Sequence, residues 1–342
     1  MRTAILGAGA LGIIIGARMA KNGKQVDLID THRENVAALN ANGATVTGFI
    51  SMREAVTALT PEQMTGTYDL VLLLTKQTAN PTALPRLLPH LHEDSIVCTL
   101  QNGIPEESVA SYVGRERTIG GAVGFGATWL RPGVSELTSS EEAIDKFAFE
   151  IGEMDGALRP RLEKVKEVLD AAGGTTILTN LMGIRWTKLL MNATFSGMSA
   201  SLGVSFRPIL EDPKAMICIA HIADEVIKVC HAKGFRMVEM QGEDMEFLEL
   251  NSKDDIPGKT DFYRRVWGRH NNKASMLQDL EKGNPTEIDY INGVVSRGGR
   301  ECGIATPFND KVVELVKEAE ARKGVTDFGN LARFDDIIAR AK

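Results

Sequence analysis

Cysteine, histidine and long apolar runs are all scarce in this chain. Its four cysteines, Cys98, Cys218, Cys230 and Cys302, are scattered through 342 residues. None forms a C-x-x-C pair, which speaks against a disulfide framework or a structural zinc site and fits a reducing, cytoplasmic setting. Of the six histidines only His90 and His92 stand close together. They read as surface or turn residues, so no metal is expected. The apolar N-terminus, MRTAILGAGALGIIIGARMAKNG, has no cleavable pattern, and its glycines interrupt a run too short for the ~20 residues a membrane helix needs. Neither sign of charge dominates: 39 basic and 45 acidic residues are intermixed, for a net charge of −6. That leaves no footprint for DNA, RNA or an acidic membrane surface. Internal repeats and low-complexity segments are also missing.

What remains is enough chain for two domains of ordinary size. A short apolar run at 3–6 breaks at Gly7, a helical pattern follows over 11–21, and a second apolar run at 26–29 ends in Asp30. This is a βαβ unit. Further runs at 70–74 (LVLLL), 95–100 (SIVCTL) and 118–122 read as buried parallel strands of a doubly wound sheet. Past residue 178 the texture changes to helix after helix, expected over 181–202, 213–233, 272–282, 285–297 and 307–322. The expectation is an α/β Rossmann-type dinucleotide-binding domain at 1–178, followed by an all-α substrate-binding and catalytic domain at 179–342. The charged stretch 242–269, with Pro257-Gly258, reads as a long connection or insertion.

The turn between the first strand and helix is Gly7-Ala8-Gly9-Ala10-Leu11-Gly12. In that context G-x-G-x-x-G suits a pyrophosphate, because glycine lets the backbone approach and the helix N-terminus offers free N–H groups with a partial positive charge. Asp30 is placed to accept hydrogen bonds from the adenine ribose, which favours NADH, since a 2′-phosphate would meet like charge. Arg33, one turn on, could instead pair with the phosphate of NADPH. Along 183–203 apolar residues appear all round the helix, the mark of a buried one. Yet Lys188, Asn192, Ser196 and Ser199 recur on a single line, which suggests a cleft. A lysine aimed at a carbonyl oxygen can donate the proton that accompanies hydride transfer.

Several motifs then point one way: LLLTKQTAN with Lys76, LQNGIPEE with Asn102, IGGAVGFGATWLRPGVSEL, RWTKLLMN with Lys188 and Asn192, and NKASMLQDLEKGNPTEIDYING at 272–293. With GAGALG, these make the chain resemble the ketopantoate reductase (2-dehydropantoate 2-reductase) family up to about residue 323. The resemblance implies reduction of 2-dehydropantoate to D-pantoate in pantothenate synthesis, with Lys188 as general acid and Glu287 holding the substrate hydroxyl. It also implies substrate contacts from Asn192, Asn272 and Ser275, with Asn102 and Lys76 beside nicotinamide and substrate. Ser196 stands in the polar stripe where the family usually has asparagine, and Thr31 where it commonly has an arginine for the NADPH 2′-phosphate. By family habit the coenzyme is NADPH; by Asp30 it is NADH. Glu287 has a competing local reading, because Asn284-Pro285-Thr286-Glu287 has the pattern of a capping box. Two alternatives stay open: an NADH-dependent D-2-hydroxy acid dehydrogenase of the same family acting on another 2-keto acid, and a non-catalytic dinucleotide sensor. A homodimer through the helical domain is compatible with the pattern, though nothing demands it.

Overall fold

The computed structural model describes every residue except Gln241, 268–271 and Lys342, together with all but the side chain of Trp267. His270 and the end of the 242–269 segment therefore lie outside the described residues. The chain divides into two compact units, Met1–Leu181 and Met182–Lys342.

The first unit holds β1 (Thr3–Leu6), β2 (Val26–Ile29), β3 (Ala44–Gly48), β4 (Met52–Glu54), β5 (Thr57–Leu59), β6 (Tyr68–Leu73), β7 (Leu91–Thr99), β8 (Thr118–Val123), β9 (Ala127–Arg131), β10 (Val134–Leu137), β11 (Phe149–Gly152) and β12 (Thr175–Ile177). Its helices are α1 (Ala10–Lys21), α2 (Arg33–Asn42), α3 (Asn80–Leu87), α4 (Glu106–Val113), α5 (Glu141–Phe147) and α6 (Pro160–Leu169). Eight strands form one sheet in the order β12-β11-β8-β7-β6-β1-β2-β5. All neighbours in it are parallel except β8 and β11. From β1 the chain builds outward to β2 and β5 on one side and to β6, β7 and β8 on the other. This reversal is the topological switch point at which doubly wound sheets bind ligands, at the carboxyl ends of the strands. The register pairs Leu6 with both Ile29 and Leu73, so Gly7, Asp30 and Leu74 emerge at that same edge.

The expected strands are present, β1 and β2 with the bounds read from their apolar runs. A second, four-stranded sheet, β4-β3-β10-β9, was not expected. Its strands are short and polar (ATVTG, MRE, VSEL), with none of the continuous apolar character of strands covered on both faces. Helix α1 packs against this sheet as well as against the large one, which explains why ALGIIIGARMAK is buried along most of its length.

The second unit is helical: α7 (Leu181–Met191), α8 (Gly197–Leu202), α9 (Phe206–Glu211), α10 (Pro213–Ala232), α11 (Ile256–Trp267), α12 (Ser275–Glu281), α13 (Asn292–Cys302), α14 (Pro307–Ala321) and α15 (Asp335–Arg340). The 242–269 segment, read as a long connection or insertion, contains α11, with Pro257-Gly258 in the first turn, where proline's missing N–H costs nothing. Within it Tyr263 is fully buried and packs edge-on against Phe195 at 5.4 Å. One expectation needs correction. The helix expected at 285–297 starts only at Asn292, after a single 3-10 turn over Ile288–Tyr290.

Candidate active site

In the first unit the glycines of the β1–α1 turn have different reasons to be there. Gly7 has φ +110°, a region favoured by glycine, and a Cβ on it would stand 2.6 Å from the Thr75 amide nitrogen. A Cβ on Gly12 would run into the Gly7 carbonyl, so this glycine lets α1 close onto the turn. Gly9, at the N-cap of α1, has no heavy atom within 4 Å of the position a Cβ would take. That open space leaves the backbone at Gly9 accessible, as a G-x-G-x-x-G turn needs for a pyrophosphate to approach. Helix α1 has no acidic residue in its first turn, which leaves its N-terminal field uncompensated. Ala8 is buried, and Ala10 and Leu11 are half-buried at the start of the helix.

Beside this turn a cavity of about 160 Å³ is lined by Gly7, Asp30, Thr31, Thr75 and Arg86 among others. Asp30 is held from both oxygens: the His32 amide donates to Oδ1 at 2.9 Å and Asn35 Nδ2 donates to Oδ2 at 2.9 Å. The buried Asn35 also donates to the Ala8 carbonyl and accepts from the Gly133 amide, each at 2.8 Å. Asp30 is thus fixed at the cavity and tied to the glycine turn. Arg33 opens α2 with an exposed side chain. Arg86, from α3, was not singled out in the sequence, and it pairs with Glu62 at 3.4 Å.

Lys76 and Asn102 lie on neighbouring loops, after β6 and after β7, both half-buried. Those loops are stitched together by side chains the sequence reading passed over. Gln101 Nε2 donates to the Thr75 carbonyl at 2.9 Å and to Asn80 Oδ1 at 2.7 Å, and Gln77 Nε2 donates to the Asn102 carbonyl at 2.6 Å. Gln77, Asn80 and Gln101 are all buried. Their presence in LLLTKQTAN and LQNGIPEE is the signal that could have found them.

In the second unit the stripe helix runs unbroken from Leu181 to Leu202, but Asn192–Ser196 form a π-helical turn between α7 and α8. Such turns are rare and often mark functional sites. In an unbroken α-helix Ser196 would be offset from Lys188 by roughly 80°. The wider turn advances each residue by less and draws Ser196 back toward the face of Lys188 and Asn192. The Thr194 hydroxyl donates to the Leu190 carbonyl at 2.8 Å and the Met191 carbonyl at 3.0 Å, serving carbonyls at the start of the bulge. Lys188, Asn192 and Ser196 are half-buried, while their helix neighbours Ile184, Trp186, Leu189 and Leu190 are fully buried. Ser199 leaves the stripe: it is fully buried, and its hydroxyl donates to the Val204 carbonyl at 2.5 Å.

Glu287 is half-buried and does not form the capping box that its surroundings suggest. The Thr286 amide and hydroxyl both donate to Glu320 Oε1 of α14, each at 2.7 Å, and no α-helix starts there. Asn272 and Ser275 are exposed. The Asn272 carbonyl accepts from the Phe206 amide at 3.0 Å, which anchors the approach to α12, and Ser275 is the first residue of that helix.

A glycine turn that opens α1 at a sheet switch point, followed by a helical unit with a half-buried lysine on a buried helix, defines an NAD(P)-dependent oxidoreductase. Comparison with known proteins makes this more specific. Residues 3–154 match the family described as Ketopantoate reductase PanE/ApbA, and residues 180–320 match Ketopantoate reductase PanE/ApbA C terminal. A 2-dehydropantoate 2-reductase from Pyrococcus abyssi (strain GE5 / Orsay) is 31% identical over 330 residues, covering 95% of this chain and 99% of the relative. The chain belongs to the ketopantoate reductase family, whose reaction acts on CH–OH groups. Among solved structures, a D-mandelate dehydrogenase with NADH and anilino(oxo)acetate superposes with a TM-score of 0.80 at 26% identity, covering 94% of this chain and 99% of that one. A dimeric ketopantoate reductase from Staphylococcus aureus shares the fold with a TM-score of 0.72 at 20% identity, covering 95% of this chain and all of that one. No helix among the described residues is long and apolar enough to cross a membrane, and no group of three metal-ligating side chains occurs among them.

Proposed function

We propose that this protein reduces the 2-keto group of 2-dehydropantoate to D-pantoate, a step of pantothenate and coenzyme A biosynthesis, with NADH as coenzyme. The observation that carries this reading is the stripe of Lys188, Asn192 and Ser196, half-buried on an otherwise buried helix and realigned by a π-helical turn. The bound coenzyme supplies hydride to the keto carbon. Lys188 Nζ donates the proton that the ketone oxygen takes up, so that C=O becomes CH–OH with no charge left on oxygen. Asn192, Ser196, Asn272 and Ser275 orient the substrate, with Ser275 on its carboxylate, and Glu287 accepts a hydrogen bond from the substrate hydroxyl. In the nucleotide unit the turn from Gly7 to Gly12 holds the pyrophosphate and Asp30 the ribose, while Lys76 and Asn102 flank the nicotinamide. NADH is favoured over NADPH because Asp30 is clamped from both oxygens and cannot swing aside for a 2′-phosphate.

The clamped Asp30 also supports a second reading, an NADH-dependent D-2-hydroxy acid dehydrogenase acting on a different 2-keto acid. The likeness to the NADH complex of D-mandelate dehydrogenase points the same way. Free, mostly buried cysteines fit a cytoplasmic enzyme. A homodimer belongs to the proposal by analogy with the Staphylococcus aureus protein and is read by light scattering.

The test follows nicotinamide absorbance with 2-dehydropantoate and a panel of branched and aromatic 2-keto acids. Lys188→Ala is expected to bind NADH normally and to lose roughly 10²–10⁴ in turnover. Unchanged turnover would remove Lys188 from the mechanism, and failure of every keto acid with the unmutated enzyme would leave a dinucleotide sensor.

A further inference from the structure

The π-helical turn that aligns the stripe is gripped from behind by a buried polar chain. Asn292, the first residue of α13, donates from Nδ2 to the Ala193 carbonyl at 3.0 Å, inside the π turn, and to Asn309 Oδ1 at 2.9 Å. Asn309, in the first turn of α14, donates from Nδ2 to Glu225 Oε2 of α10 at 2.7 Å and to the Ile222 carbonyl at 3.3 Å. Glu225 also accepts the Phe308 and Asn309 amides, at 2.9 Å each, which fixes its two oxygens at the N-terminus of α14. Asn292 and Asn309 are fully buried and Glu225 nearly so.

The direction of the chain is set by its ends. The Ala193 and Ile222 carbonyls can only accept, so both asparagines must turn their NH₂ groups toward them, and each then presents its remaining hydrogen to the next acceptor. Packing enforces the approach: a Cβ on Gly197, just after the π turn, would stand 2.6 Å from Asn292 Oδ1. That Oδ1 has no hydrogen-bond partner among the described residues. A buried amide oxygen left so is a cost, and it persists only where the rest of the side chain is needed. An apolar residue here would remove that cost but would leave the Ala193 carbonyl and Asn309 Oδ1 without their donor.

The geometry points to Asn292 as a positioning residue: by holding the Ala193 carbonyl in the wide turn, with Asn309 and Glu225 behind it, Asn292 sets the directions of Asn192 and Ser196 toward substrate. Asn292 itself touches neither substrate nor coenzyme. This role rests on the reading of the Lys188 stripe as the substrate site, and it makes the three-helix network of α10, α13 and α14 a determinant of keto-acid binding.

The test compares the full-length enzyme with Asn292→Ala and Gly197→Ala, the second displacing Asn292 without deleting it. Hydrogen exchange of the amides at 193–197 is read alongside KM and kcat for 2-dehydropantoate and KM for NADH. Expected are at least tenfold faster exchange confined to the π turn, a tenfold or greater loss in kcat/KM for the keto acid, and a KM for NADH within twofold of the unmutated value. Wild-type exchange in the π turn overturns the proposal. So does faster exchange with unchanged keto-acid constants, since that would be the signature of a structural tie alone. If Asn292→Ala does not fold, Gly197→Ala gives the same readouts. Full turnover in Lys188→Ala would instead reject the catalytic reading, and the exchange data would still decide whether Asn292 holds the turn.

Discussion

Coenzyme choice gives the sharpest arithmetic. The perturbation is Asp30→Asn, which removes the charge and keeps one acceptor oxygen, so that only one of the two donors, the His32 N–H or Asn35 Nδ2, retains its partner. The Asp30 carboxylate is clamped at both oxygens, and the repulsion it would exert on a 2′-phosphate is worked for an assumed charge separation of about 5 Å. At an effective dielectric near 20 that is roughly 3 kcal/mol of repulsion per unit of phosphate charge. Asp30 is only half-buried, and solvent and salt remove at least half of the interaction. At most about 1.5 kcal/mol per unit of charge remains, so kcat/KM should favour NADH over NADPH by roughly tenfold. In Asp30→Asn the ratio should fall to within about threefold, mainly because NADPH improves. Raising the salt concentration should narrow the wild-type ratio and leave the variant's unchanged. The assay is initial rates with each coenzyme at saturating keto acid. A wild-type preference for NADPH, or an unchanged ratio in the variant, would refute the reasoning and hand control of the ribose site to Arg33 or Arg86.

Two further outcomes follow from the same structure. Gly9→Ala meets open space and should leave the melting temperature nearly unchanged while raising KM for NADH at least tenfold, whereas Gly12→Ala meets the Gly7 carbonyl and should cost about 1–3 kcal/mol of stability; similar melting curves for the two would contradict the assignment of separate roles. Burial pushes the Glu225 carboxyl up to about 8, against the pull of the Asn309 and Phe308 donors, with Asp310 adding repulsion and His221 stacked on Phe308 nearby. The native state then holds a proton that the unfolded chain releases from pH 4.5 upward, so this contribution to stability is full below that pH and lost as pH rises toward 8, by up to roughly 4–5 kcal/mol. Thermal unfolding between pH 5 and 8 should therefore show a falling melting temperature, and Glu225→Gln, although less stable overall, should show a flatter slope; equal slopes would rule Glu225 out as the source.

What could be read from the sequence was whatever local pattern alone decides. TAIL and VDLI are uniformly apolar and end at Gly7 and Asp30, so β1, β2 and the glycine turn between them were legible with their bounds. The small sheet was not, because ATVTG and MRE carry no apolar run and become strands through pairing with distant partners. Asn284 to Glu287 spell a helix start, yet the Thr286 amide is taken by Glu320, 34 residues away, and no local pattern records that. Helix α11 hid behind Pro257-Gly258, a pair that usually marks a loop. The Lys188 stripe was visible as a periodicity. The π turn that realigns it depends on Thr194 and on Asn292, a residue 99 positions from the carbonyl it holds. That spacing also let Ser199 pass for a member of the stripe when its hydroxyl belongs to the turn at Val204.

Asn35 reaches from the carboxylate of Asp30 to the amide of Gly133, in the hairpin between β9 and β10. On the proposed reading of Asp30, a change in the length or sequence of that outlying hairpin is expected to loosen the carboxylate and shift coenzyme choice, with GAGALG and Asp30 letter for letter intact.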